Sequence, residues 1–389
     1  MIEAVLHPAC AFLLLATFIS AQAESSGRVF DLPLDPYLDR YLYVRGSLNG
    51  TPTDVVLDSG AGITVVDKQL AEQLELQPKG EVVAKGVGSE KRRVHLATAT
   101  IRIGDLELPD LTVAILDLEE VHVRLGRRMP VILGKELFHS HAVTVDYAGK
   151  RVRVHEGAFA APPGAVSCEL RPVHQGHMMV QVEFEDLGPA WCVVDTGAGD
   201  TLALTATFVK EHDLLARYPR LAEIRVAGVG GSLPAKMATA GRVGLGGVDF
   251  HGVPVTLATE GDGAFGGGGV DGNLGARLLS RFTVTFDYAN KRLVLEKGTD
   301  LAAPFRRDRC GLALDHDGER LRVTAVTAES PAAAAGLRAG DVIAAIDGVE
   351  VTSANAPHLR VALQQEAGTV VVLRDGAGQE HRVTLADYF

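Results

Sequence analysis

Residues 193–201 read VVDTGAGDT, an apolar, strand-like run that ends on an acid, a hydroxyl residue and a glycine. Residues 55–64 read VVLDSGAGIT, placing Asp58, Ser59, Gly60, Ala61 and Gly62 in the same order as Asp195, Thr196, Gly197, Ala198 and Gly199. One D-[ST]-G is a common turn; two in one chain raise the possibility of paired carboxylates. The flanking sequence bears on that directly. Residues 29–62 align without a gap on residues 166–199, at an offset of 137. ILGKELFHSHAVTVDYAGKRVRV (132–154) answers NLGARLLSRFTVTFDYANKRLVL (273–295) at an offset of 141. Between these landmarks, Lys85-Gly86-Val87-Gly88 corresponds to Ala227-Gly228-Val229-Gly230. Solenoid units repeat every 20 to 50 residues or so, far less than this. The chain carries a duplicated, domain-sized lobe.

Short Val/Ile/Leu/Thr runs broken by Gly, Pro, Asp and Asn predict mostly β structure with tight turns. In each lobe an apolar run leads to the aspartate. A short helix is expected next, near Asp67–Leu76 and Thr207–Ala216, followed by a glycine-tipped hairpin. An apolar-apolar-Gly turn, a helical turn and a hairpin through Asp146-Tyr147 or Asp287-Tyr288 close the lobe, which makes these two aspartates turn residues. GAFGGGGVDG (263–272) reads as a mobile loop, and it lacks the strand–turn–helix frame of a phosphate site.

At 389 residues the chain has room for two or three domains. A formal net charge of -11 without a basic cluster argues against a nucleic-acid partner. The apolar run at 8–20, followed by Ala21-Gln22-Ala23, reads as a signal peptide over residues 1–23. It is too short for a comfortable membrane span, so export to the periplasm or beyond is expected, with no membrane span after cleavage. Glu3 and the lack of Lys or Arg before Arg28 depart from the usual signal pattern. Cys10 would leave with that segment. An oxidising compartment permits a Cys168–Cys192 bridge, while three buried thiols, with Cys310, fit the sequence equally well. No close Cys or Cys/His cluster suggests a metal. His139-Ser140-His141 faces Ser280-Arg281-Phe282 in the second copy and reads as a solvated strand end. No G-x-S-x-G elbow is present. No metal and no cofactor are expected.

A carboxylate at the end of a buried strand is costly unless hydrogen bonds compensate it. Gly60 and Gly197 permit a sharp turn and let backbone N–H groups approach the acid. The hydroxyls of Ser59 and Thr196 can bond backbone groups of the opposite lobe. Facing turns would place Asp58 and Asp195 about 3 Å apart, where like charges share one proton. One carboxylate then activates a water while the other hydrogen-bonds the scissile carbonyl.

The paired DSGA/DTGA motifs, the Gly-tipped hairpins and the turns Ile132-Leu133-Gly134 and Asn273-Leu274-Gly275 resemble the aspartic proteases over residues 27–298. The alanine after each glycine and the short lobes are most similar to the retropepsin-like branch, with both halves in one chain as in pepsin. The resemblance implies that Asp58 and Asp195 are the catalytic dyad, supported by Ser59, Gly60, Thr196 and Gly197. It implies that Gly86-Val87-Gly88 and Gly228-Val229-Gly230 are flap tips over an extended polypeptide substrate. Neither flap carries the tyrosine of pepsin-like enzymes. Asn273 is polar where the family prefers an apolar residue, which bears on the core of the second lobe.

After Pro304 the composition changes. CGLALDHDGERLRVTAVTAESPAAAAGLRAGDVIAAIDGVEV (310–351) resembles the PDZ domains of bacterial envelope proteases. That likeness implies a carboxylate-binding loop at Gly311-Leu312-Ala313-Leu314, with a peptide C-terminus as possible ligand. The peptide would lie against a helix near Ala356–Gln365, with His358, Leu359 and Leu363 as groove-facing candidates. Alternatively, the domain only docks on the lobes as a lid. The expected fold is therefore mainly β: two retropepsin-like, acid-protease β lobes (27–157 and 165–298), a linker (299–309) and a small α+β PDZ domain (310–387). The expected function is an exported aspartic endopeptidase whose PDZ domain recruits peptide or regulates access. A non-catalytic peptide-binding scaffold or a chaperone-like envelope protein is the alternative. Because Ala61 and Ala198 offer no hydroxyl to an ionised carboxylate, activity should persist nearer neutrality than in pepsin.

Overall fold

The structure is a computed structural model. It describes residues 27–389 apart from 39, 86–90, 229–230, 261–268 and 317–319. The expected signal segment, the expected flap-tip residues Gly86, Val87, Gly88, Val229 and Gly230, and most of the Gly-rich stretch thus lie outside the described residues. Gly272, read as loop, begins the strand Gly272–Gly275.

Two eight-stranded sheets share one strand order. In the first lobe the order is Asp35–Tyr37, Tyr41–Leu48, Thr51–Leu57, Val131–Leu133, Thr64–Asp67, Leu106–Leu116, Lys91–Ile103 and Gly80–Lys85. The second lobe repeats it from Arg171–Pro172 to Ala222–Gly228. In both, the strand leading to the aspartate runs parallel to the apolar-apolar-Gly strand: Val55–Leu57 beside Val131–Leu133, and Cys192–Asp195 beside Gly272–Gly275. A strand with neighbours on both sides and layers on both faces is buried throughout. That explains why Val55, Val56 and Leu57 form an unbroken apolar run and do not alternate.

A third sheet joins the lobes. Its six strands come three from each copy, and the seam pairs Ala142–Asp146 with Phe282–Asp287 in antiparallel register. Thr144 pairs there with Thr285, its own equivalent at an offset of 141, and their hydroxyls are 2.8 Å apart. The pseudo-twofold axis therefore passes between them. The edge strand Val29–Pro33 and its neighbour Arg151–His155 alternate cleanly: Phe30 and Leu32 point inward from the first, and Val152 and Val154 from the second. One continuous apolar core runs through both lobes, including Leu57, Phe138, Val194 and Phe286.

The helices Lys68–Gln73 and Ala206–Glu211, the latter followed by Leu214–Arg217, stand where the pattern predicts them. Asp146 and Asp287 cap hairpin turns, accepting from Gly149 N and Asn290 Nδ2. His139 and Ser140 end the helix Lys135–Ser140 and are not a strand end; His139 Nε2 lies 2.6 Å from Gly176 O of the other lobe. Cys168, Cys192 and Cys310 are free, and no metal-holding cluster occurs among the described residues. Among those residues, no helix is long and apolar enough to cross a membrane.

The C-terminal domain has its own core around Leu321, Ile343, Val371 and Val383. Its predicted long helix is a turn of α-helix, Ala356–Leu359, continued by a 3-10 segment, Arg360–Gln364. The domain is seated on both lobes. His316 Nδ1 lies 2.8 Å from Val123 O, and the His358 ring meets Tyr37 edge-on at 5.3 Å. On the other side Glu223 N donates to Thr327 Oγ1 (3.0 Å), and Arg307 donates to Thr239 Oγ1 (2.9 Å).

Candidate active site

Both D-[ST]-G turns sit at the C-terminal ends of their buried strands and face each other across the pseudo-twofold axis. Ser59 Oγ donates to Val194 O (2.9 Å) and accepts from Thr196 N (3.1 Å). Thr196 Oγ1 donates to Leu57 O (3.0 Å) and accepts from Ser59 N (3.0 Å). Each hydroxyl therefore bridges to the opposite lobe, and both side chains are only 1% exposed. Four hydrogen bonds, shielded from water, lock the turns in one relative position.

That lock sets how closely the acids approach. Gly60 lies so near the Asp195 carboxylate, and Gly197 so near that of Asp58, that a Cβ on either would overlap the opposing acid. Glycine is required by close approach at these two positions. Asp58 and Asp195 are within hydrogen-bonding reach of each other. Burial first, and then the Asp195 charge, hold the Asp58 carboxyl well above the usual carboxylate range.

The two acids are not equivalent. Asp58 Oδ1 accepts from Gly60 N at 2.8 Å. Asp195 Oδ1 accepts from Gly197 N (2.8 Å) and Ala198 N (3.1 Å), and its Oδ2 accepts from Asn273 Nδ2 at 2.8 Å. Position 273 corresponds to Ile132 in the first lobe. Asn273 thus turns its amide nitrogen to Asp195, where its polarity had pointed to the second core. The resembled family's preference for an apolar residue marked the position as odd without showing its target. Ile132 can supply no such donor to Asp58, so the two carboxylates differ in their partners.

Two further residues escaped sequence reasoning. His177, 6% exposed, places Nε2 2.9 Å from Gly60 O and Nδ1 2.9 Å from His174 O, backing the first turn from the second lobe. Its counterpart at the offset of 137 is Arg40, which covers the second turn: a side chain at Gly199 would begin 2.6 Å from Arg40 Nη1.

The dyad opens into one cavity of about 1810 Å³ that extends to Leu312, Ala313 and Leu314 of the C-terminal domain. Gly228, the one described flap-tip residue, lines it too. The expected carboxylate loop is modified at its start. Gly311, at φ +91°, donates its N–H to Asp308 Oδ1 (2.6 Å), which also accepts from Cys310 N and Tyr388 Oη. An internal carboxylate thus occupies the first donor of the loop. Of the groove-facing candidates, His358 and Leu363 line the cavity and Leu359 does not; Leu363 also belongs to the core of its own domain, against which Leu359 packs.

Residues 44–137 and 180–278 match the family model of an aspartyl protease, and residues 322–374 that of a PDZ domain. The two lobes belong to the aspartyl protease family, and the C-terminal domain is a PDZ domain. Curated relatives align with one stretch of the chain only. Protein DDI1 homolog 2 of Homo sapiens is 32% identical over 111 residues, 27% of this chain and 25% of its own. DNA damage-inducible protein 1 of Kluyveromyces lactis is 28% identical over 119 residues, 30% of this chain and 26% of its own. The chain thus spans about a quarter of the length of these relatives. The solved aspartic proteinase from Irpex lacteus superposes on 71% of this chain and 99% of its own, at 15% identity and a TM-score of 0.43.

Proposed function

We propose that the protein is an exported aspartic endopeptidase that hydrolyses peptide bonds of an extended polypeptide at the Asp58/Asp195 pair. The observation that carries this is the facing of two carboxylates under reciprocal Ser59/Thr196 hydrogen bonds, with unequal donors. Asp195 takes a proton from a water as its oxygen adds to the scissile carbonyl carbon. Asp58 gives its proton to the carbonyl oxygen, so a neutral tetrahedral diol forms. Collapse moves a proton to the departing amine, breaks the C–N bond and returns one proton to the pair. No side chain is acylated and no metal is needed.

The hairpins ending near Lys85 and Gly228 fit the role of flaps over the bound chain. Export rests on the apolar run and the A-x-A site of residues 8–23. The PDZ domain would regulate access, because its groove residues and the dyad share one cavity. Digestion of a diverse peptide library by the full chain, read by mass spectrometry beside Asp195→Asn, tests the proposal. Cleavage by the wild type alone supports it. Peptide binding without cleavage from pH 4 to 8 would instead favour a scaffold.

A further inference from the structure

The cavity between the dyad and the PDZ domain carries charge that the peptidase chemistry does not use. Arg40 comes from the first lobe, Arg277 from the helix Ala276–Leu279 of the second, and Arg360 from the PDZ helical segment. All three line the cavity. Arg277 and Arg360 are each close enough to Arg40 for its charge to disfavour theirs, after burial, which disfavours them most. Like charges converge here without matching anions. Among the described residues, none of the three has a carboxylate within ion-pair distance. Among the described residues, the one side-chain hydrogen bond they make is a long one, Arg277 Nη1 to Arg306 O at 3.5 Å. Arg40 Nε is buried with no partner among the described residues, while its guanidinium lies 5.1 Å from the Tyr41 ring centroid.

The nearby acids do not balance the cluster. Asp308 is spent on Cys310 N, Gly311 N and Tyr388 Oη. Asp315 pairs with Arg124 at 3.6 Å. Burial raises the Asp200 carboxyl despite Arg277 and Arg40, favouring its neutral form. A partly buried guanidinium without an anion is costly, and three together are more so. A ligand carboxylate entering the cavity would relieve that cost, with paired N–H donors matched to its two oxygens.

We propose that Arg40, Arg277 and Arg360 form a carboxylate subsite, shared by both lobes and the PDZ domain, that selects polypeptide substrates bearing an acidic group at a set distance from the scissile bond. The group is an acidic side chain or a free C-terminus. This inference rests on the peptidase reading for its context and not for its test. Two peptide sets of common sequence serve as probes: Glu against Gln at each position, and free-acid against amidated C-termini. Their affinities for the full-length Asp195→Asn chain are read by fluorescence anisotropy, and kcat/KM for the wild type where cleavage occurs.

One carboxylate placement should bind about tenfold more tightly than its neutral twin, as expected for a charge-assisted hydrogen bond. The set in which it appears tells side chain from C-terminus. That ratio should fall to near one in Arg40→Gln and Arg360→Gln and survive in part in Arg40→Lys. Because the ratio is taken between two peptides on the same chain, a general loss of fold or affinity cancels. No preference for any carboxylate, or a preference untouched by both variants, overturns the subsite. Anisotropy still answers if nothing is cleaved, so failure of the peptidase proposal would be seen separately.

Discussion

The two lobes grip each other through equivalent residues, yet they surround the dyad with unlike ones. At the offset of 137, Ser59 and Thr196 exchange the same pair of bonds, whereas His177 backs one turn as a buried ring and Arg40 covers the other as a charge open to the cavity. At the offset of 141, Ile132 is apolar where Asn273 donates to Asp195. Glu136 accepts from Thr64 inside its own lobe, where the second lobe has Arg277 facing the cavity. Duplication accounts for the shared geometry of the pair. Divergence accounts for the unequal donors at the two acids and for the positive end of the cavity.

The largest expected effect removes what the lobes have in common. Asp58→Asn or Asp195→Asn should each lower kcat by about a thousandfold or more, since each loses one arm of acid–base catalysis. Loss of much less than that in either variant would break the equivalence of the pair. Gly60→Ala and Gly197→Ala come next. Each Cβ would displace the opposing carboxylate, and on the order of a hundredfold loss in kcat is expected from such misplacement. A melting curve close to wild type would locate the damage in the dyad.

Asn273→Leu restores the symmetry that divergence removed. It deletes one charged hydrogen bond, so kcat/KM should drop by roughly 10- to 100-fold. An unchanged kcat/KM would deny Asn273 a part in the reaction. In the wild type the alkaline limb reports loss of the Asp58 proton. As that carboxyl is raised, activity should extend well above the ordinary carboxylate range. A profile confined to strongly acid pH would contradict this.

The smallest effects concern stability. Ser59→Ala and Thr196→Val each leave a buried backbone partner unsatisfied, at a cost of about 1–3 kcal/mol. Thermal melts should show similar losses for the two, given their mirrored bonds. A clearly unequal cost would mean that one lobe bears the interface more than the other.

Much of this was legible along the chain. The repeat marked two lobes, the D-[ST]-G order marked two turns that need glycine, and Asp146-Tyr147 and Asp287-Tyr288 marked the closing hairpins. These are local properties: a period of two residues, a turn's φ requirement and a hydroxyl beside an acid all act within a few bonds. The departure at Asn273 was visible but was assigned to the core, because polarity says nothing of where a side chain turns. His139 was misplaced on a strand end because a six-residue helix leaves too short a period to recognise.

What the sequence by itself determined is therefore the duplicated β lobe, the pair of carboxylates and the separate PDZ domain. What only the tertiary structure decided is the company those elements keep: Asn273 on Asp195, His177 behind Gly60, Asp308 in the PDZ loop, and three arginines from three domains on one cavity. Such meetings depend on strand register, the pseudo-twofold axis and domain docking together. They join residues up to hundreds of positions apart, where no short-range pattern carries the information.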